Sequence, residues 1–264
     1  MTTLAAPATP SLGRQMLNKV PEVTLWFWIF KILCTTVGET FSDYLSDTVG
    51  WGLTNTSYVM GAALLVVLAI QFALKRYVPL VYWLAVVLIS VVGTNITDNL
   101  TDNFGVSLAE TTTIFAILLI AWFILWHTVE GTLSIHSIVT TGREAFYWVA
   151  ILLTFALGTS VGDQVSEQFD LGYLTALWIF AAIIGAIVIL HFAFHLNAIL
   201  SFWLAYIMTR PLGASIGDWL SQSKDDGGLG LGTTNTSLIF LALILALVVY
   251  LTISKADRTP PDAT

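Results

Sequence analysis

The chain has 264 residues, 56% of them hydrophobic and only 10% charged, with a formal net charge of −7 and a mean hydropathy of +0.83. A soluble domain carries about 25% charged residues, so this composition excludes an ordinary soluble globule and points to an integral membrane protein. No basic patch is large enough for nucleic-acid binding, and the single cysteine, Cys34, excludes an intramolecular disulfide and a cysteine-cluster metal site.

Residues 1–20 ("MTTLAAPATPSLGRQMLNKV") have no apolar core and read as a short cytoplasmic tail, not a cleavable signal peptide. A spanning helix needs about 20 apolar residues, and eight such runs follow. Residues 21–77 hold spans at 22–43 and 56–75, and residues 78–131 hold spans at 79–99 and 111–129. After a linker at 132–144, residues 145–195 hold spans at 145–164 and 172–192, and residues 196–255 hold spans at 198–219 and 234–254. The C-terminal residues 256–264 read as a second cytoplasmic tail. Runs this long and continuous predict helices; barrel strands would alternate apolar and polar residues over shorter segments. The expected fold class is an all-α polytopic membrane protein with eight transmembrane helices.

Arg14, Lys19, Lys75, Arg76, Arg143, Lys255 and Arg258 all fall on one side of this scheme. The other side has Lys224 alone and most of the acids. The positive-inside rule then places both termini in the cytoplasm.

The strongest signal is an internal repeat. The pairs Phe27-Trp28, Tyr82-Trp83, Tyr147-Trp148 and Phe202-Trp203 are each followed, ten residues after the Trp, by Gly38, Gly93, Gly158 or Gly213. Five residues later stands Asp43, Asp98, Asp163 or Asp218. Each unit has two spans, so all four share one orientation. This predicts parallel two-helix repeats in a pseudo-fourfold or two-plus-two bundle. The second helices open on "GLTNTS", "ETTTIF" and "GTTNTS". Such residues either cap helix N-termini or line a polar pathway.

With "KVPEVTLWFWIFKILCTTVGET", "GTNITDNLTDNFGV" and "TLSIHSI…REAFYW", the chain resembles the bacterial membrane proteins built from four tandem copies of a "repeat of unknown function". Each of their repeats has two spans and a characteristic Trp, and they are usually labelled uncharacterised membrane-anchored proteins. The resemblance covers nearly the whole chain. It implies a topology and a bacterial inner-membrane location but no activity.

Small residues four apart, as at Gly38/Ser42, Gly93/Thr97, Gly158/Gly162 and Gly213/Gly217, clear one helix face for close helix packing. The repeated Trp residues, Trp28, Trp83, Trp148 and Trp203, suit an interfacial aromatic belt. The aspartates have two readings. They are solvated helix ends, or they converge as a carboxylate ring that binds a cation. An outer tier of Asp47, Asp102 and Glu167 follows one turn on, and Glu39 lies one turn inward in repeat 1. Oxygen-only donors suit hard or borderline divalent cations such as manganese.

His127, His136, His191 and His195 lie toward the basic side, with His191 and His195 at helical i, i+4 spacing. They are candidates for an inner mouth. Lys31 and Arg210 are membrane-embedded cations, which are costly unless paired or functional. Arg210 is expected to meet Asp218 or Glu39, and Lys31 to snorkel toward the basic side. No G-x-S-x-G, P-loop or H-E-x-x-H motif occurs, so no enzyme activity is expected. The residues point to a transporter or exporter of a small cation, with a non-transporting scaffold or accessory subunit as the alternative. The expected partners are the lipid bilayer, the cation, and either a second copy or a partner subunit. No resident cofactor is expected.

Overall fold

The computed structural model describes residues 19–257. Most of both expected tails, with Arg14 and Arg258, lies outside the described residues. Within them the chain is all-helical. The eight long helices are α1 (Leu25–Asp43), α2 (Gly52–Ala73), α3 (Pro79–Asp98), α4 (Leu108–Glu130), α5 (Thr141–Asp163), α6 (Tyr173–Phe194), α7 (Ala198–Ser221) and α8 (Gly232–Ser254). Seven of them, all but α1, are long and apolar enough to cross a membrane. Helix α1 carries Lys31, Glu39 and Asp43 within its 19 residues.

The odd helices pack on one another in a closed cycle: α1 on α3, α3 on α5, α5 on α7 and α7 back on α1. The repeated glycines make these contacts. A methyl group added at Gly38 would overlap Ser90 of α3, and one at Gly93 would press on Phe155 of α5. One at Gly158 would overlap Arg210 of α7, and one at Gly213 would overlap Thr35 of α1. Each glycine thus faces the residue seven positions after the Trp of the next repeat. Without a Cβ the backbones approach closely. Hydroxyls then bridge the gap: Thr97 Oγ1 donates to Ala156 O at 3.0 Å, and Thr35 Oγ1 to Thr209 O at 3.2 Å.

The second glycines of repeats 3 and 4, Gly162 and Gly217, face the same seams but are not equivalent to the first. A methyl group at Gly162 would rest on Pro211 of α7 at 3.5 Å, an ordinary van der Waals contact. Gly162 thus lies in the packed seam as expected of a small residue, and a Cβ also fits there. Gly217 is tighter. Its added methyl would lie 3.0 Å from Thr40 Cγ2 and 3.3 Å from Thr36 O, both on α1. The GxxxG spacing thus brings two glycines to one seam, but the first of each pair sits at the point of closest approach.

The even helices lie outside this cycle. Helix α2 packs on α3, α4 on α5, α6 on α7 and α8 on α1, so each covers the odd helix of the following repeat. Their remaining faces are exposed and apolar, as at Leu65, Ile117, Ile189 and Leu245. Lipid is the solvent those faces require.

Two local expectations are corrected. The Thr-rich openings of α2 and α8 do not cap their helices. Asn55 and Asn235 donate back to the carbonyls of Trp51 and Leu231, both at 2.9 Å, while Ser57 and Ser237 bond to Asn99 and Thr40 on the neighbouring odd helix. Nor do the repeated Trp residues form a lipid-facing belt. Trp83, Trp148 and Trp203 are buried in the core and Trp28 is half-buried. Two of these indoles are bonded to the connecting segments that fold over the ring: Trp83 Nε1 donates to Tyr77 Oη and Trp203 Nε1 to Leu133 O.

Candidate functional site

The odd helices carry chemistry at intervals of one turn, and exposure grows along them. Lys31 and Tyr206, three residues after their Trp, are fully buried. Thr35, Ser90, Phe155 and Arg210 come one turn later and are also buried. Glu39, Thr94, Thr159 and Ala214 follow, still buried. Then come the aspartates, half-buried at Asp43, Asp98 and Asp163 and buried at Asp218; Asp47, Asp102 and Glu167 beyond them are exposed.

Arg210 marks the centre of the ring. Its Nη2 donates to Glu39 Oε2 of α1 at 2.6 Å and to Thr94 Oγ1 of α3. Helix α3 is not α7's neighbour in the cycle, so the guanidinium reaches across the axis. Lys31 does the same from α1. Its Nζ lies 3.9 Å from the centroid of Phe155 on α5, the opposite helix, and 4.1 Å from that of Tyr206 on α7. This overturns the expectation that Lys31 snorkels: it has no exposed surface at all.

Carboxylates converge on the acidic side of Arg210. One oxygen from each of Glu39, Asp43 and Asp218 lies within 4.8 Å of the others. Asp98 and Asp163 are within electrostatic reach of Glu39 and of each other. The ion pair predicted for Arg210 therefore forms with Glu39, and Asp218 is left among the acids. Glu39 accepts from Arg210 through one oxygen and still meets Asp43 and Asp218. Oxygen donors at this spacing can share one hard cation.

A feature the sequence did not reveal sits directly after the aspartates. In repeats 1, 2 and 3 the helix does not end there but continues as one π turn, Tyr44–Thr48, Asn99–Asn103 and Gln164–Gln168. The closing bonds run from Val49 N to Tyr44 O, Phe104 N to Asn99 O and Phe169 N to Gln164 O, at 2.8, 3.0 and 3.0 Å. Asp43, Asp98 and Asp163 are therefore not helix ends. A π turn inserts a residue per turn, re-aims the side chains beside it and occurs often at functional sites. Repeat 4 departs. Its α-helix runs to Ser221 and stops at an extended Gln222. There the Ser223 hydroxyl accepts from the N–H groups of Asp225 and Asp226, a local turn that competes with helix continuation.

The structure does not gather the histidines at the end of the axis. His127 and His195 are exposed. His195 is the left-handed C-cap of α6, so it shares no helix face with His191. His136 Nε2 lies 3.5 Å from Glu22 Oε2, and His191 Nδ1 lies 2.9 Å from Leu196 O. These two line an apolar groove of about 720 Å³ between α1, α6 and α7, beside the ring.

Aromatic and ionic pairs close the axis at that end instead. The hydroxyls of Tyr82 and Tyr147 meet at 2.5 Å. Beyond them Lys19 Nζ donates to Glu144 Oε2 at 2.6 Å and to Phe72 O at 3.1 Å, and Gln71 Nε2 donates to Glu144 Oε1 at 3.0 Å. The sequence pattern marks Lys19 only as one of the basic residues that set orientation. The available signal was Glu144, an acid at the start of an apolar run on the side that carries most of the Lys and Arg residues.

Eight long helices, seven of them able to cross a membrane, with a polar axis and an apolar outer surface, define a multi-pass membrane protein. The family model described as Repeat of Unknown Function (DUF347) matches four times, at residues 26–77, 81–132, 146–196 and 201–257, and the chain belongs to this family. No curated protein and no solved structure matches it.

Proposed function

We propose that the protein is a transporter or exporter of a small cation, with a divalent metal such as manganese as the first candidate. In this reading the four two-helix repeats run parallel about a pseudo-fourfold axis along the membrane normal. The termini are cytoplasmic, the acidic end faces outward, and the membrane is the bacterial inner membrane. The observation that carries the reading is the convergence of Glu39, Asp43 and Asp218, with Asp98 and Asp163 in reach, at the open end of the axis. Arg210 acts as an internal counter-ion. A cation bound by the three carboxylates competes with the guanidinium for Glu39, so loading the site loosens the contact that bridges α7, α1 and α3.

The axis beyond Arg210 favours a second reading, a non-transporting scaffold or accessory subunit. Lys31, Arg210 and the aromatic layer stand in any straight cation path. A transporter must move them; a scaffold need not.

The test is cation flux in proteoliposomes that contain only this protein, over a panel of mono- and divalent ions. Transport requires flux of one ion, abolished in Asp43→Asn and Asp218→Asn at unchanged melting temperature. No flux for any ion, with stable variants and a co-purifying membrane partner, leaves the scaffold. Orientation is read separately from cysteines placed at Asp225 and Arg143, since native Cys34 is buried and silent. External label must reach the first and not the second.

A further inference from the structure

Two buried cations on the axis share one hydrogen-bonded carboxylate. Lys31 and Arg210 are both fully buried, and Tyr206 nearly so. Among the described residues, Glu39 accepts only from Arg210 Nη2. Among the described residues, no group accepts a hydrogen bond from Lys31 Nζ, from Arg210 Nε or Nη1, or from the Tyr206 hydroxyl. Buried donors are otherwise almost always satisfied, and an orphaned one calls for an explanation such as a bound ion.

These orphans lie together. Lys31 and Tyr206 occupy the same repeat position on the neighbouring helices α1 and α7, and the Lys31 ammonium lies over the Tyr206 ring. Arg210 is one turn further along α7, about 6 Å at 1.5 Å per residue, and its charge acts on Lys31. Both cations reach the axis from one side of the ring. The aromatic faces of Phe155 and Tyr206 attract the ammonium but do not take up its three N–H groups. On its acidic side Arg210 is within electrostatic reach of Asp43 and Asp163 as well as bonded to Glu39; close to Lys31 and Tyr206 the other titratable groups are the Cys34 thiol and the Tyr147 hydroxyl, each with a proton to donate and neither an anion at neutral pH.

We infer that Lys31, Tyr206 and Arg210 form a buried binding site for a small monovalent anion on the ring axis. One negative charge matches Lys31, the buried cation to which no carboxylate of the described residues is bonded. A fully desolvated site walled by aromatic rings selects weakly hydrated ions, so chloride, bromide and nitrate are the class. The site adjoins the carboxylate cluster through one contact, the bond from its Arg210 to Glu39 of the cluster. An anion there would hold α1 and α7 to one another at the seam where the ring closes.

The experiment is thermal melting of the purified full chain in detergent with a chelator present, titrated with sodium chloride, bromide or gluconate at constant ionic strength. Chloride and bromide are expected to raise the melting temperature saturably, and gluconate is not. Lys31→Met is expected to abolish the halide response. Tyr206→Phe, which keeps the ring, is expected to raise the half-saturating halide concentration about tenfold, the factor carried by loss of one hydrogen bond to a charged group. Asp43→Asn should leave the halide response intact, so a failed cation-flux assay does not decide this site. Melting that ignores halide identity overturns the inference. So does a halide response preserved in Lys31→Met or, should that variant not fold, an unshifted midpoint in Tyr206→Phe.

Discussion

The odd and even helices of each repeat invert the usual relation between apolarity and burial. Helices α6 and α8 are among the most apolar in the chain, yet they are mostly exposed. Helix α7 is the least apolar of the seven candidate spans, and α1 is more polar still; both are largely buried. In water the order would be reversed. In a bilayer the lipid accepts apolar side chains at no cost, so nothing drives the leucines inward. Polar side chains and small residues gather at the helix contacts instead. Burial in this protein is a record of polarity and small size.

The sharpest way to break that contrast is to place one side chain on both kinds of helix. Gly158→Leu and Gly213→Leu push a side chain into Arg210 and Thr35 across the ring. Each is expected to prevent folding or to cost more than the roughly 1–3 kcal/mol of ordinary overpacking, because the opposing atoms belong to a packed helix. Gly61→Leu in α2 and Gly185→Leu in α6 meet nothing within 4 Å. They should melt like wild type. Equal melting of all four variants would remove the glycine ring as the basis of the fold. Within the ring, Gly162→Ala should be tolerated and Gly217→Ala should lower the melting temperature, since only the second presses on its neighbour.

A smaller effect is expected from the central ion pair. Arg210→Met leaves Glu39 buried and uncompensated, at a cost of about 3–5 kcal/mol. Adding Glu39→Gln to Arg210→Met should recover part of this loss, so the two substitutions are non-additive in a double-mutant cycle. Strict additivity would mean that the 2.6 Å contact carries no energy.

The pairs at the other end of the bundle rank lower. Lys19→Met removes a buried partner of Glu144 and should cost about 1.5–3 kcal/mol, the range for a hydrogen bond to a charged group. Arg143→Met breaks a half-exposed pair with Glu130 and should cost less than about 1 kcal/mol. If Arg143→Met proves the more damaging of the two, the linker before α5 is more important to stability than burial implies.

The smallest effect on stability is expected where the effect on function is largest. Asp98→Asn and Asp163→Asn alter half-buried carboxylates that no buried cation pairs with, and should shift stability by less than about 0.5 kcal/mol. Cation retention, measured as calorimetric manganese affinity, should fall most in Asp43→Asn and Asp218→Asn, which belong to the closest cluster. It should fall less in Asp98→Asn and Asp163→Asn, and least in the exposed Asp47→Asn. A flat ranking would return the aspartates to a purely structural role.

Much of the fold was legible in the chain because helices announce themselves by length and apolar continuity. The spans match the helices within a few residues, and the Trp, Gly and Asp positions recur in register in the sequence itself. Periodicity also identifies which residues share a helix face. It does not say which helix that face meets, or how closely. The glycines pointed to close packing, but only the tertiary structure put Gly213 of the last repeat against Thr35 of the first, 178 positions earlier, and so closed the ring. Gly162 and Gly217 look alike in sequence, and only the separation of the facing backbones distinguishes them. Arg210 had two carboxylates in plausible reach by sequence; the choice of Glu39 depended on the diagonal span of the guanidinium from α7 to Thr94. Lys31 does not snorkel because snorkelling is a rule about one helix in lipid, whereas α1 belongs to a packed ring that leaves this side chain fully buried. The π turns left no mark in composition, since they arise from how the backbone is redirected after each aspartate. Local chemistry along the chain determined the helices, their repeats and their polar faces. Contacts between residues far apart in sequence decided the cycle of helices, the convergence of carboxylates and the pairing of the two buried cations, because those depend on distances across the axis that no single helix encodes.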